Sequence, residues 1–247
     1  MKSGFVPLLL AVCFAAVGSQ AQSQNQVQSR NQIVYNNIDD RDTGWGYCTT
    51  CAGGQNNDDI YWMAQFQTTP SRDGNSTQFY VSASLPFSNA LFWDKVGAQD
   101  WAKTFTWDFW VYLDNASSGA QALEYDLFQF ANGVEYMFGS ECVYATGYWN
   151  VWSQGGNNWV PTQLACKKFT ANVWHHIVWK THRTSDQKMH YDSLTLDGVQ
   201  HTLNLAEPSG PMPAGWTDNL GVQWQIDTAS APLTTNEWID NVKLTIQ

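Results

Sequence analysis

The chain has 247 residues, a formal net charge of −10, 15% aromatic residues and 14 tryptophans. That acidity excludes a nucleic-acid partner, whose phosphates demand a basic patch, and it opposes a polyanionic substrate. No apolar run reaches the roughly 20 residues that span a bilayer, so no membrane partner is expected.

In chain order, residues 1–21 read as a signal peptide. Lys2 gives the positive start, Phe5 to Val17 the apolar stretch, and Ser19-Gln20-Ala21 a small-x-small cleavage site. Cys13, behind Val12 inside the apolar stretch, fits a lipoprotein site poorly. The expected localisation is secreted, either extracellular or periplasmic. Residues 22–35, rich in Gln, Asn and Ser, lack the apolar surface to order themselves and read as a flexible leader. Residues 36–247 remain as a single β domain, expected to be monomeric, with a loop-like start up to Asn57.

Cys48, Cys51, Cys142 and Cys166 remain after processing, and an even number in an exported chain favours disulfides. Sequence alone leaves the connectivity open. Cys142 with Cys166, clamping two successive strands, and Cys48 with Cys51, closing a tight loop, is the favoured arrangement. As a zinc or redox element, Cys48-Thr49-Thr50-Cys51 lacks a second CxxC, a His pair and a βαβ context.

After Asp58, short aromatic and β-branched runs alternate with Gly, Asn, Ser and Pro. They predict strands near 59–66, 77–84, 89–96, 104–113, 121–130, 133–141, 147–153, 158–164, 173–183, 188–196, 199–205, 219–227 and 236–246. Asn132-Gly133 and Asp197-Gly198 supply the positive φ of tight hairpins. So many strands exceed an immunoglobulin sandwich and fit an all-β, two-sheet antiparallel jelly-roll sandwich.

Period-two alternation assigns faces. Phe105, Trp107, Phe109, Val111 and Leu113 are core, opposed by Thr104, Thr106, Asp108, Trp110 and Tyr112. Leu123, Tyr125 and Leu127 oppose Glu124, Asp126 and Phe128. Leu220, Val222, Trp224 and Ile226 oppose Gln223, Gln225 and Asp227. A sheet that is apolar inside and aromatic plus polar outside suits a sugar. Rings stack on sugar C–H faces, and acids and amides pair with hydroxyls.

The central stretch is Glu124-Tyr125-Asp126-Leu127-Phe128-Gln129. Its alternation puts Glu124 and Asp126 together, where two carboxyls raise one another's pKa. Glycoside hydrolysis normally takes a second carboxyl flanking the bond, and the position expected for it holds Gln129, an amide. The expected site is therefore a lectin-like face binding neutral poly- or oligosaccharide. It comprises Glu124 and Asp126 with Asp108, Trp110, Tyr112, Gln129, Tyr148, Trp152, Gln223 and Gln225. A β-glucanase-like hydrolase using Glu124 and Asp126, with its second carboxyl from Asp108, Glu135 or Glu141, is one alternative. A polysaccharide lyase using His182, Arg183, His190 and Tyr191 is another. His175 and His176 read as strand residues with local hydrogen bonds.

No G-x-S-x-G elbow or phosphate-binding glycine loop is present. No cofactor is expected; calcium is the exception to weigh, at Asn56-Asn57-Asp58-Asp59 or Asp114-Asn115, without an EF-hand pattern. Asn75-Ser76-Thr77 and Asn115-Ala116-Ser117 match the glycosylation acceptor.

Asn172-Val173-Trp174-His175-His176-Ile177-Val178-Trp179 resembles a strand of concanavalin A-like lectin/glucanase and laminin-G-like domains. Trp238-Ile239-Asp240-Asn241-Val242-Lys243-Leu244 resembles the last strand of that superfamily. Glu124-x-Asp126 resembles the first half of the E-x-D-x-x-E signature of its laminarinase-type hydrolases. The resemblance spans roughly residues 75–247 and is nearest to secreted bacterial members. It implies a jelly roll with Glu124 at the nucleophile position and Asp126 as its helper. The acid/base position then falls on Gln129, or on Phe128 if the strand carries no bulge. A laminin-G-like role, recognising protein at the loops, is the third implied reading.

Overall fold

Alternation in the sequence becomes two antiparallel sheets packed face to face in the computed structural model, which describes residues 32–49, 51 and 60–247. The signal peptide, the leader up to residue 31 and the Asn56–Asp59 run lie outside the described residues. The first sheet has the order β14 (Val199–Pro208), β13 (Lys188–Leu196), β12 (Trp174–Arg183), β6 (Thr104–Leu113), β17 (Leu233–Ile246), β4 (Thr77–Ala83) and β3 (Ile60–Ala64). β1 (Ile33–Tyr35) also pairs with β17. The second has the order β11 (Asn158–Ala165), β10 (Tyr148–Ser153), β9 (Ser140–Val143), β7 (Ala120–Ala131), β16 (Asn219–Thr228), β5 (Asn89–Gly97) and β2 (Trp45–Cys48). β8 (Val134–Phe138) pairs with the far end of β7 and with β15 (Gly210–Pro211).

The predicted core faces are the buried ones. Phe105, Trp107, Phe109, Val111 and Leu113 of β6, and Leu220, Val222, Trp224 and Ile226 of β16, all lie between the sheets. Trp224 is the hub, with ring centroids 5.1 Å from Trp107 and 5.7 Å from both Phe79 and Phe109. Each such ring removes about 150–250 Å² from water. Burying a side chain of this size is worth roughly 1.5–3 kcal/mol. Both favoured disulfides are formed, Cys48–Cys51 at the end of β2 and Cys142–Cys166 between β9 and the end of β11. Among the described residues no helix is long and apolar enough to cross a membrane.

Three departures from the sequence reading bear on the site. Residues 33–35, assigned to the leader, are Ile-Val-Tyr and pair with residues 244–246 of β17. The loop-like stretch after them holds β2, which pairs with β5. The single strand expected over 133–141 is two, β8 and β9, broken at Gly139.

Candidate functional site

β7 lies inside the second sheet, with β16 on one side and β8 and β9 in succession on the other. Its alternation sends Tyr125 and Leu127 into the core and Glu124, Asp126, Phe128 and Phe130 to the outer face, where they line a cavity of about 560 Å³. Cross-strand register builds its floor in rows. Leu91, Gln225, Glu124 and Glu141 are successive partners in one row, and Trp93, Gln223 and Asp126 in the next. Trp152 of β10 faces Trp159 of β11, with centroids 5.2 Å apart, and both indoles wall the cavity. Trp216, 4.9 Å from Phe130, closes the other end. A smaller cavity of about 220 Å³ adjoins; Glu124 and Gln225 line both, and Asp227 and Glu141 line the smaller one.

The break at Gly139 belongs to this floor. Asp126 Oδ1 accepts the Ser140 N–H at 3.0 Å, and Gly139 O accepts the Trp152 N–H at 2.9 Å. A Cβ at residue 139 would sit 2.8 Å from Trp152 Cβ and 3.1 Å from Asp126 Oδ1, so only glycine lets β8 and β9 turn past the carboxylate. On β16, Gly221 leaves the space into which the Phe128 ring lies; a Cβ there would meet that ring at 2.4 Å.

The acids are held by amides. Gln223 Nε2 donates to Asp126 Oδ2 at 2.6 Å, and Gln225 Nε2 donates to Glu124 Oε2 and Asp227 Oδ1, each at 2.9 Å. Asn150 Nδ2 donates to Glu141 Oε1, and Gln154 Nε2 to Glu135 Oε2, each at 2.8 Å. Burial, then the charges of Asp126, Asp227 and Glu141, push the Glu124 carboxyl well above the ordinary glutamate range. Burial raises Asp126 to about 6 and Asp227 to about 7, each held back by its amide and by a hydrogen bond with Glu124. Glu141 is raised to about 6, again chiefly by burial. Burial and the neighbouring carboxyls thus act together against the charged form of Glu124.

The structure divides the predicted residues. Glu124, Asp126, Trp152, Gln223 and Gln225 meet at the cavity. Gln129 does not: β7 pairs without a bulge from Ala122 to Phe130, so Gln129 points inward. There its Nε2 donates to Gln99 O at 2.7 Å and Ala102 O at 3.0 Å. Phe128 takes the outer position, so neither place implied by the E-x-D-x-x-E resemblance carries a second carboxyl.

Asp108, Trp110 and Tyr112 belong to β6, in the other sheet, and alternation cannot tell which sheet a polar face belongs to. Asp108 pairs with His176 at 2.8 Å and Lys243 at 3.2 Å. Trp110 is sandwiched between the Arg72 guanidinium at 3.4 Å and the His176 ring at 4.4 Å. Tyr112 packs against Trp174 and Trp238. Tyr148 shares the outer face of β10 with Trp152 but lies four residues away, about 13 Å along the strand, and does not line the cavity.

The four lyase candidates do not converge either. His182 stacks on His190 at 4.4 Å and bonds to Asp192, while Arg183 Nε donates to Ala102 O at 3.0 Å. Tyr191 turns into the core, its hydroxyl donating to Trp152 O at 2.8 Å. Asp114, weighed for calcium, accepts from the N–H groups of Ala116, Ser117 and Asn236. Among the described residues no group of three or more His, Cys, Asp or Glu side chains is placed to hold a metal ion. Trp93, Trp159, Trp216 and Phe130 complete the walls without having been foreseen, and Phe128 lies on the outer face that alternation assigned to it. For Trp93 and Trp159 the parity signal was there, but core packing explains a strand tryptophan equally well from sequence.

No protein-family model and no curated protein matches the sequence. Among solved structures the chain is similar to the cellulose-induced protein Cip1. The two are 11% identical over 81% of this chain and 90% of that one, with a TM-score of 0.51. It is also similar to winged bean acidic lectin complexed with methyl-α-D-galactose, with 11% identity, 88% and 99% coverage and a TM-score of 0.47. A third is a structure of carbohydrate-binding modules from the β-sandwich superfamily, solved to explain their promiscuous specificity. It is 12% identical over 83% of this chain, which spans only 58% of that one, with a TM-score of 0.44. At such identities the likeness is one of fold alone, a two-sheet antiparallel jelly-roll sandwich as expected from the sequence.

Proposed function

We propose that the protein binds carbohydrate in the cavity on the outer face of its second sheet. The observation that carries this reading is the juxtaposition of the indoles of Trp93, Trp152 and Trp159 with a floor of amide-held carboxyls. Indoles take the C–H faces of a pyranose, while carboxyl and amide oxygens accept from its hydroxyls. A cavity of about 560 Å³ is of the size that encloses a small ligand. The fold shared with lectins and carbohydrate-binding modules agrees with the reading as an analogy. Two disulfides are compatible with an extracellular location.

Affinity electrophoresis through gels containing a panel of plant, fungal and bacterial polysaccharides tests the proposal. At least one glycan should retard the protein, and Trp152→Ala should abolish the retardation. Retardation unchanged in Trp152→Ala places binding elsewhere; no retardation by any glycan removes the assignment.

One observation favours a second reading, a glycoside hydrolase. Glu141 is the direct cross-strand partner of Glu124, so a second carboxyl lies beside it although Gln129 and Phe128 supply none. Glu135 pairs opposite Phe130, six residues along β7 from Glu124, or about 20 Å at strand rise, beyond the separations glycosidases use. Asp126 and Asp227 are hydrogen-bonded to Glu124 and too close to flank a bond from two sides. Release of reducing ends from β-glucans, lost in both Glu124→Gln and Glu141→Gln, would select this reading; inactivity across the panel would eliminate it.

A further inference from the structure

We infer that the ligand of this cavity is a glycan carrying free amino groups, an inference that rests on the carbohydrate reading above. Four strands contribute to a one-sided inventory of charge. β7 brings Glu124 and Asp126, β16 Asp227, β9 Glu141 and β8 Glu135. Lys95 of β5 is the lone cation lining either cavity among the described residues, and it leans towards the Trp93 ring, 6.0 Å from its centroid. A uronate would add negative charge to this set. A neutral sugar would cover the carboxyls with hydroxyl donors alone, leaving their mutual repulsion in place. An ammonium offsets that repulsion and brings three donors to oxygens that each amide engages on one side only.

The walls fit the same chemistry. Trp152, Trp159 and Trp93 line the cavity, and indole rings attract a cation as well as a sugar C–H surface. The protonation of the floor adds a thermodynamic signature. Asp126 and Glu141, raised to about 6, and Asp227, raised to about 7, are partly protonated near pH 6. An ammonium seated among them draws them towards the ionised form, so protons leave as the ligand enters.

The test compares three oligosaccharides of equal length: a glucosamine oligomer, its fully N-acetylated counterpart and a cello-oligosaccharide. Binding is measured by titration calorimetry at pH 6 in low and high salt. The glucosamine oligomer should bind about tenfold tighter or better than either neutral chain, the gain expected of partly shielded charge pairs. The advantage should shrink in high salt, and the heat should vary with the ionisation enthalpy of the buffer, reporting released protons. Asp227→Asn with Glu141→Gln should remove the advantage while Trp152→Ala removes all binding. Equal or tighter binding of a neutral chain overturns the amino-sugar inference and leaves the carbohydrate reading standing. Failure of all three chains, together with every polysaccharide of the panel, overturns both.

Discussion

Gln129 separates what a motif says from what a strand does. Its place in the sequence, three residues after Asp126, suggests an amide standing where an acid once worked. Its side chain instead ties β7 to the carbonyls of Gln99 and Ala102 from inside the fold. Gln129→Glu should therefore confer no hydrolysis. It should destabilise the protein by about 2–3 kcal/mol, because two buried carbonyls lose their donor and a carboxyl is buried in its stead. Denaturant unfolding and a reducing-sugar assay on the same variant check both halves. A stable variant that releases sugar would mean that the side chain turns outward and that β7 carries a bulge.

Between residue and fold, strands were legible wherever two-fold alternation ran long. β6, β7 and β16 were readable face by face, because a strand with one side in the core repeats its pattern every second residue. Which sheet each strand joins is fixed by long-range pairing, and so Asp108, Trp110 and Tyr112 were grouped with Glu124 although they lie in the other sheet. β1 and β2 are only three and four residues long, too short to show an alternation, and they are placed by backbone pairing with β17 and β5. The β8–β9 break was hidden for another reason: it depends on one glycine and on a carboxylate from a different strand. Gly139→Ala should push Trp152 and Asp126 aside, at a cost of roughly 1–3 kcal/mol in stability, and weaken glycan binding at the same time. An unchanged melting temperature with unchanged binding would show that the break tolerates a side chain.

Across the whole molecule, several acidic side chains are largely withdrawn from water. Asp39, Asp94, Asp126, Glu141 and Glu237 are nearly or fully buried. Burial, the largest cause for each, raises Asp39 and Asp94 to about 7, Asp126 and Glu141 to about 6, and Glu237 to about 8. The counter-effects are partial. Arg41 lies 3.4 Å from Asp94, Val242 N–H donates to Asp39 at 2.7 Å, and the nearby Tyr125 hydroxyl holds Glu237 down in part. In the unfolded chain these groups titrate near 4. Between about pH 4 and pH 8 the folded state therefore holds more protons than the unfolded one, and stability falls as pH rises through that window. The melting temperature should be several degrees higher at pH 5 than at pH 8, given roughly 2–4 °C per kcal/mol for a domain of this size. Glu237→Gln should flatten the upper part of the profile, because its carboxyl titrates last. Thermal unfolding followed by tryptophan fluorescence across the range measures the slope directly. A melting temperature that climbs towards pH 8 would mean that the buried acids are held ionised in the folded state, against the upward shifts that burial gives them.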